Sequence, residues 1–384
     1  MRLPSLHSLL TLVIFAPALF AQPPSDDTPQ QLRLIFAGDI MGHASQIASA
    51  ELKKDAQYDY TPCFEYIAAT LRQADLAIGN LELTLPGQPP YLGYPMFRSP
   101  DALAPALRHA GFHLLLTANN HSNDSGPEGV VRTIQTLEAH NFYHTGTFQN
   151  AAEREAYYPL LIYKNNFRLA FLNYTYDTNG IPTRPPVQVN EIDEALIEAD
   201  MAVARQLQPD AIIVVMHWGD EYQLRENKRQ RELAQKLADW GADLIIGAHP
   251  HVVQPIRTVL SRYPNGAEKK VPVVYSLGNF ISGQIKTHTD GGILVAVTLE
   301  KEGTAGALRI STPQYIPIWR WVERQATGKK CYRVVPIRPF EQDAKAVGMN
   351  ASDHAAMLQY ARAVRHNLQD SDATELPMPT YEKR

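Results

Sequence analysis

An α/β fold is what this sequence predicts, on three observations. Short apolar runs of strand length alternate with amphipathic, helix-period segments along most of the chain. Five of those apolar runs end in polar residues of metal-ligand type: Asp39, Glu82, Asn120-His121, His217 and His249-Pro250-His251. In open α/β sheets ligands bind outside the carboxyl ends of the strands, which is where all five sit.

Taken in order, Leu32–Ala37 is a strand running into Gly38-Asp39-Ile40-Met41-Gly42-His43. Pro62 to Arg72 reads as a helix with proline in its first turn. Leu76-Ala77-Ile78 is a strand ending in Gly79-Asn80-Leu81-Glu82, and a loop rich in Pro, Gly and Tyr then carries Arg98. Ala102–Ala110 is helical and Gly111 stops it. The strand Phe112–Thr117 runs into Ala118-Asn119-Asn120-His121-Ser122-Asn123-Asp124. Glu128–His140 is a helix on the spacing of Val130, Val131, Ile134 and Leu137. Arg168–Tyr174 and Ala211–Met216 are strands, with the amphipathic helix Ile192–Leu207 between them. The second of these strands ends in His217-Trp218-Gly219-Asp220-Glu221. Arg225–Trp240 is a helix closed by Gly241, and Leu244-Ile245-Ile246 leads into Gly247-Ala248-His249-Pro250-His251. There, extended backbone would put both imidazoles on one face. Val273–Ser276 ends in Leu277-Gly278-Asn279-Phe280, and Gly292–Leu299 alternates as a closing strand. Residues 301–345 read as irregular with short β segments, and Ala351–Leu368 as a terminal helix.

Length and composition set the frame. The chain has 384 residues, 45% hydrophobic and 20% charged, which suits one large domain with an appendage. Residues 32–300 are taken as that domain and 301–384 as a C-terminal extension. Residues 1–21 read as a signal peptide with an apolar stretch around Leu9–Ala16, followed by a polar, Pro-containing leader over 22–31. Export to the periplasm or cell surface is the expectation. A net charge of −4 without long Lys/Arg runs argues against a nucleic-acid partner. Only Cys63 and Cys331 are present, too few for a cysteine zinc site, and whether they pair is open at this stage.

Asp, Asn, Glu and His form an N/O donor set without thiolate, suited to a divalent Mn, Fe or Zn ion. A pair of such ions acts as a clamp on water and a phosphoryl-like centre, and needs a bridging carboxylate, for which Asp39 and Glu82 are the candidates. Asn120 offers a carbonyl oxygen, and His217, His249 and His251 offer imidazoles. His121, left unligated, is placed to act as general acid. Asp220 and Glu221 read either as partners orienting an imidazole or as exposed loop acids. Arg98, Gln254 and Asn279 are substrate-binding candidates, Arg98 through bidentate contact with a carboxylate or phosphate.

The motifs Gly38-Asp39-Ile40-Met41-Gly42, Gly79-Asn80-Leu81-Glu82, Ala118–His121, His217-Trp218-Gly219, Gly247–Gln254 and Tyr275–Phe280 together resemble the bacterial capsule synthesis protein CapA family. That resemblance spans about Leu34 to Ser282. It implies a calcineurin-like metallophosphoesterase fold, a layered β-sandwich flanked by helices, and a role in poly-γ-glutamate capsule production. It also implies one or two divalent metals, hydrolysis of an anionic polymer or phosphoester, and membrane-bound synthesis partners. A non-catalytic polyanion-tethering role is the alternative. The wider superfamily uses D-x-H as its first motif; here Asp39 matches the aspartate, Met41 stands in the histidine's place, and His43 follows two residues later. Glu82 stands for the bridging aspartate. Asn120, His121, His217, His249 and His251 match the remaining positions.

Overall fold

The computed structural model describes residues 29–52, 57–263, 265–303, 307–326, 328–342 and 344–378. The expected signal peptide lies outside the described residues. Two sheets face each other. The first carries the strand order Lys330–Pro336, Gln314–Arg324, Gly291–Glu302, Pro29–Ile40, Leu76–Leu81, Leu114–Leu116, Tyr143–Thr145. The second runs Ile256–Arg262, Glu268–Val274, Leu244–Ala248, Ala211–His217, Phe167–Thr175, Leu160–Lys164. This is the layered α/β sandwich that the motifs implied.

The period-two alternation of each strand shows why two layers form. Leu32, Leu34 and Phe36 point into the space between the sheets, with Leu76, Ile78, Leu114 and Leu116 beside them. Leu169, Phe171, Ile213, Val215, Leu244 and Ile246 meet them from the second sheet. The intervening residues face outward. Ile35, Ala37, Ala77 and Leu115 pack under the helix Leu103–Ala110. Ala170, Leu172, Ile212, Val214 and Ile245 pack under the helices Glu194–Gln206 and Lys228–Asp239. Strands covered on both faces read as continuous apolar runs, as these do. The central strands of each sheet run parallel, so their carboxyl ends emerge on one side.

Several boundaries differ from the sequence reading. The first strand begins at Pro29, inside the stretch taken as leader, because Pro29–Gln31 continue the antiparallel ladder with Glu302–Glu300. Pro62–Arg72 is two short helices, Thr61–Phe64 and Ala68–Leu71, rather than one. Residues after 301 are more regular than expected. Gln314–Arg324 and Lys330–Pro336 are full strands of the first sheet. Their charged residues masked the alternation, since Arg333 and Glu323 satisfy each other across the hairpin at 2.6 Å. Cys63 and Cys331 are both buried as free thiols.

Candidate metal centre

Each ligand-type residue is delivered by a strand end. Asp39 closes the first strand and is fully buried. A register shift between Ala37 and Asp39 bends the chain there. Gly38 permits it: a Cβ at that position would lie 1.8 Å from the Gly278 carbonyl oxygen. Asn80 closes the neighbouring strand and donates from Nδ2 to Asp39 Oδ1 at 2.8 Å. Glu82 follows, fully buried, and neither of its carboxylate oxygens has a hydrogen-bond partner.

The second sheet supplies the imidazoles. His217 ends its strand with Nε2 2.7 Å from Asn120 Oδ1 and 3.7 Å from Glu82 Oε1. Asn80 Nδ2 lies 3.2 Å from His217 Nδ1; because the amide can only donate, Nδ1 is the acceptor and Nε2 carries the proton here. His251 has the opposite tautomer. Its Nδ1 faces two acceptors, Asp39 Oδ2 and Asn279 Oδ1, each at 3.1 Å. That leaves Nε2 as the open nitrogen, 3.8 Å from Glu82 Oε1 and 3.9 Å from Glu221 Oε1. His249 Nδ1 is buried without a partner.

The convergence of His249 and His251 has a different origin from the one the sequence suggested. The strand ends at Ala248, and the two histidines adopt φ of +98° and +60°. Left-handed backbone at non-glycine residues costs energy and concentrates at functional sites. Their rings lie 5.9 Å apart because of this turn and not because extended backbone alternates.

Two overlapping donor groups result, Asp39–Glu82–His217 and Glu82–His249–His251. Glu82 belongs to both, as a bridging carboxylate must. Burial, reinforced by the nearby carboxylates of Asp39 and Glu221, pushes its pKa well above the usual range. Burial, with neighbouring histidines, drives His217 and His249 well below the imidazole range, which favours their neutral forms. Two carboxylates and three imidazoles, with unpartnered buried atoms on Glu82 and His249, fit a bound cation.

His121 lies at the edge of this cluster, in a cleft of about 950 Å³ also lined by His43, Asn120, Asn179, Glu221 and Tyr222. Its Nδ1 is 2.7 Å from Asp124 Oδ2, which also accepts the Phe97 backbone N–H at 2.5 Å. Phe97 packs edge-on against the imidazole at 4.5 Å. Asp124 was missed by sequence reasoning, although its place three residues after His121 in a turn was a usable signal. Tyr176, 4.4 Å from the His249 ring, and Asn179, with Nδ2 3.4 Å from His121 Nε2, had no such signal.

Other candidates land elsewhere. Met41 is buried in the apolar cluster under the first sheet and gives the site no donor. The His43 ring lines the cleft, with Nδ1 accepting the Gly283 N–H at 3.0 Å; it joins neither donor group. Arg98 faces a separate groove with Ser125, Arg132 and Pro186. Gln254 is a loop tie: it accepts from Gln230 and donates to the Gln223 and Arg225 carbonyls. Asn279 orients His251 and is itself held by Gln284 and the Thr289 carbonyl. Asp220 accepts from Asn227 at 2.8 Å, out on the loop.

Fold and site together define an α/β sandwich whose two sheets share one candidate divalent-metal centre. The chain belongs to the family described as bacterial capsule synthesis protein PGA_cap, whose sequence profile matches residues 33–284. It is 30% identical over 299 residues to the PGA biosynthesis protein CapA of Bacillus subtilis (strain 168), covering 73% of this chain and 70% of that protein. It is 28% identical over 290 residues to the capsule biosynthesis protein CapA of Bacillus anthracis, covering 72% and 66%. Among solved structures it is similar to the calcineurin-like phosphoesterase YfkN of Bacillus subtilis, with TM-score 0.46 and 14% identity over 89% of this chain and 99% of that one. It is also similar to Haemophilus influenzae NAD nucleotidase, with TM-score 0.48 and 13% identity over 91% and 57%.

Proposed function

We propose that this protein is an exported, metal-dependent hydrolase acting in capsule biosynthesis on an anionic envelope polymer or a phosphoester. The observation that carries the reading is Glu82, a buried carboxylate with both oxygens unpartnered and shared by two donor groups. Asp39, Glu82, His217, His249 and His251, with the Asn120 oxygen, would hold one or two Mn, Fe or Zn ions. Such an ion, when bound, supplies Lewis-acid activation of water and neutralises charge on the scissile group.

This chain's own residues do the rest. Asp39 and Asn279 orient His251 through Nδ1. Asp124 fixes the His121 ring through Nδ1, leaving Nε2 to hand a proton to the leaving oxygen. Lys286 lines the same cleft and offers an ammonium to an anionic substrate. Membrane-bound capsule synthesis components are the partners this reading expects.

Purified protein should contain Mn, Fe or Zn by elemental analysis, and cleave a phosphoester or a γ-glutamyl polymer in a product screen. His121→Ala and His249→Ala should both lose turnover while circular dichroism stays unchanged. Absence of stoichiometric metal after reloading refutes the hydrolase reading. A second reading, polyanion tethering without turnover, is favoured by Met41, which leaves the site one imidazole short. Polymer retention that survives chelation and releases no products would select it.

A further inference from the structure

Met41 faces apolar core and His43 is tied to Gly283, so neither supplies the donor missing from the first motif. Resting on the metal-centre reading above, we infer that Glu221 adds a donor elsewhere in the centre, as a further ligand on the His251 side of the Glu82–His249–His251 group.

Three observations carry this. The first is position. Glu221 Oε1 lies 3.9 Å from His251 Nε2, the nitrogen that Asp39 and Asn279 leave open, and Glu82 Oε1 approaches the same atom at 3.8 Å. His251 thus stands between two carboxylates, and the side chain of Glu221 is part-exposed on the wall of the cleft.

The second is anchorage. The next residue, Tyr222, has φ of +66°, and its N–H donates to the carbonyl of Pro250 at 2.8 Å, between the two histidines. The Tyr222 ring lies 6.0 Å from His251, with Lys286 Nζ 3.6 Å from its centroid and Gln284 Nε2 donating to its hydroxyl at 3.4 Å. Gly219 (φ +89°) turns the chain against Gln230, whose side chain would lie 2.7 Å from any Cβ placed there. Glu221 is therefore delivered by a braced loop that is bonded to the His-Pro-His segment itself.

The third is charge. With His249 and His251, Glu82 is the one carboxylate of that group. A second carboxylate balances a divalent ion, and shifts the donor set towards oxygen, which suits Mn over Zn.

The test uses the full chain and Mn²⁺ alone, with bound ions counted by equilibrium dialysis and by electron paramagnetic resonance. Wild type is expected to bind two ions. Glu221→Gln should keep one and bind the other at least tenfold more weakly, with a thermal midpoint in chelator equal to that of wild type. Glu221→Asp should recover part of the loss. Asp220→Asn, on the same loop but facing Asn227, should bind both ions as wild type does. The inference is overturned if Glu221→Gln binds two ions with unchanged affinity, or if wild type binds one ion that this variant keeps. A wild type that binds none overturns the metal-centre reading itself, and this inference with it.

Discussion

Replacing Glu82 by Gln should move stability in opposite directions with and without metal. Glu82 is fully buried, its two oxygens have no hydrogen-bond partner, and the nearest imidazole nitrogens stand 3.7 and 3.8 Å away. A buried acceptor left unsatisfied costs about 1–3 kcal/mol, and more when charged. An amide of the same shape removes the charge and offers N–H donors to the facing His251 lone pair. Metal-free Glu82→Gln should therefore melt a few degrees higher than metal-free wild type, at roughly 2–4 °C per kcal/mol for a domain this large or somewhat smaller. The metal effect runs the other way. An ion at 100 times its dissociation constant adds about 2.7 kcal/mol to the native state, so wild type gains roughly 5–10 °C on loading. Without the shared carboxylate that gain should nearly vanish. The pH dependence has a fixed sign. Burial raises the folded-state pKa of Glu82 above its unfolded value, so its cost is absent at acid pH and grows as pH rises. The gap between the metal-free proteins should be widest above neutrality and should close towards the ordinary carboxylate range. Differential scanning calorimetry in chelator and in Mn²⁺, over a pH series, reads both effects. A Glu82→Gln protein that melts lower without metal, or gains as much on loading as wild type, refutes the reasoning.

Three further outcomes are expected. Asp124→Asn should lower turnover by about 10²–10⁴ and reshape the alkaline limb of the pH–rate profile, with the melting midpoint little changed, since it removes the group that orients His121. Asn279→Ala should weaken metal binding by about 10–100-fold in a dialysis titration, because His251 Nδ1 loses one of its two acceptors. Burial lowers the His43 pKa to about 4, so the native state disfavours its charged form. The stability this contributes is complete above the unfolded value of about 6.5 and is lost as pH falls towards 4. His43→Gln should flatten that acid decline in denaturant titrations.

Much of this was legible along the chain because the information was local. An apolar run ending in Gly-Asp or Gly-Ala-His-Pro-His is both a strand and its site, so Asp39, Glu82, Asn120, His217, His249 and His251 could be read without knowing which strands pair. What failed was non-local. Arg98 lies on a loop whose direction depends on its bridges to Leu92 and Thr84, and it turns into the neighbouring groove. Gln254 and Asn279 were rightly seen as polar and placed, yet their partners come from Gln230, His251 and Thr289, remote in sequence. The strands after residue 310 were hidden because their charged residues are neutralised across a hairpin rather than by solvent. The His249–His251 geometry depends on left-handed backbone, which residue type does not announce.

The division of donors between the sheets has a consequence for assembly. Asp39 and Glu82 arrive from one layer, and His217, His249 and His251 from the other. Neither candidate donor group is complete without residues from both layers. An ion completing either group would therefore have to be bound with the sandwich closed, and would be the one available where the chain finishes folding. Such an ion would rivet the two halves together.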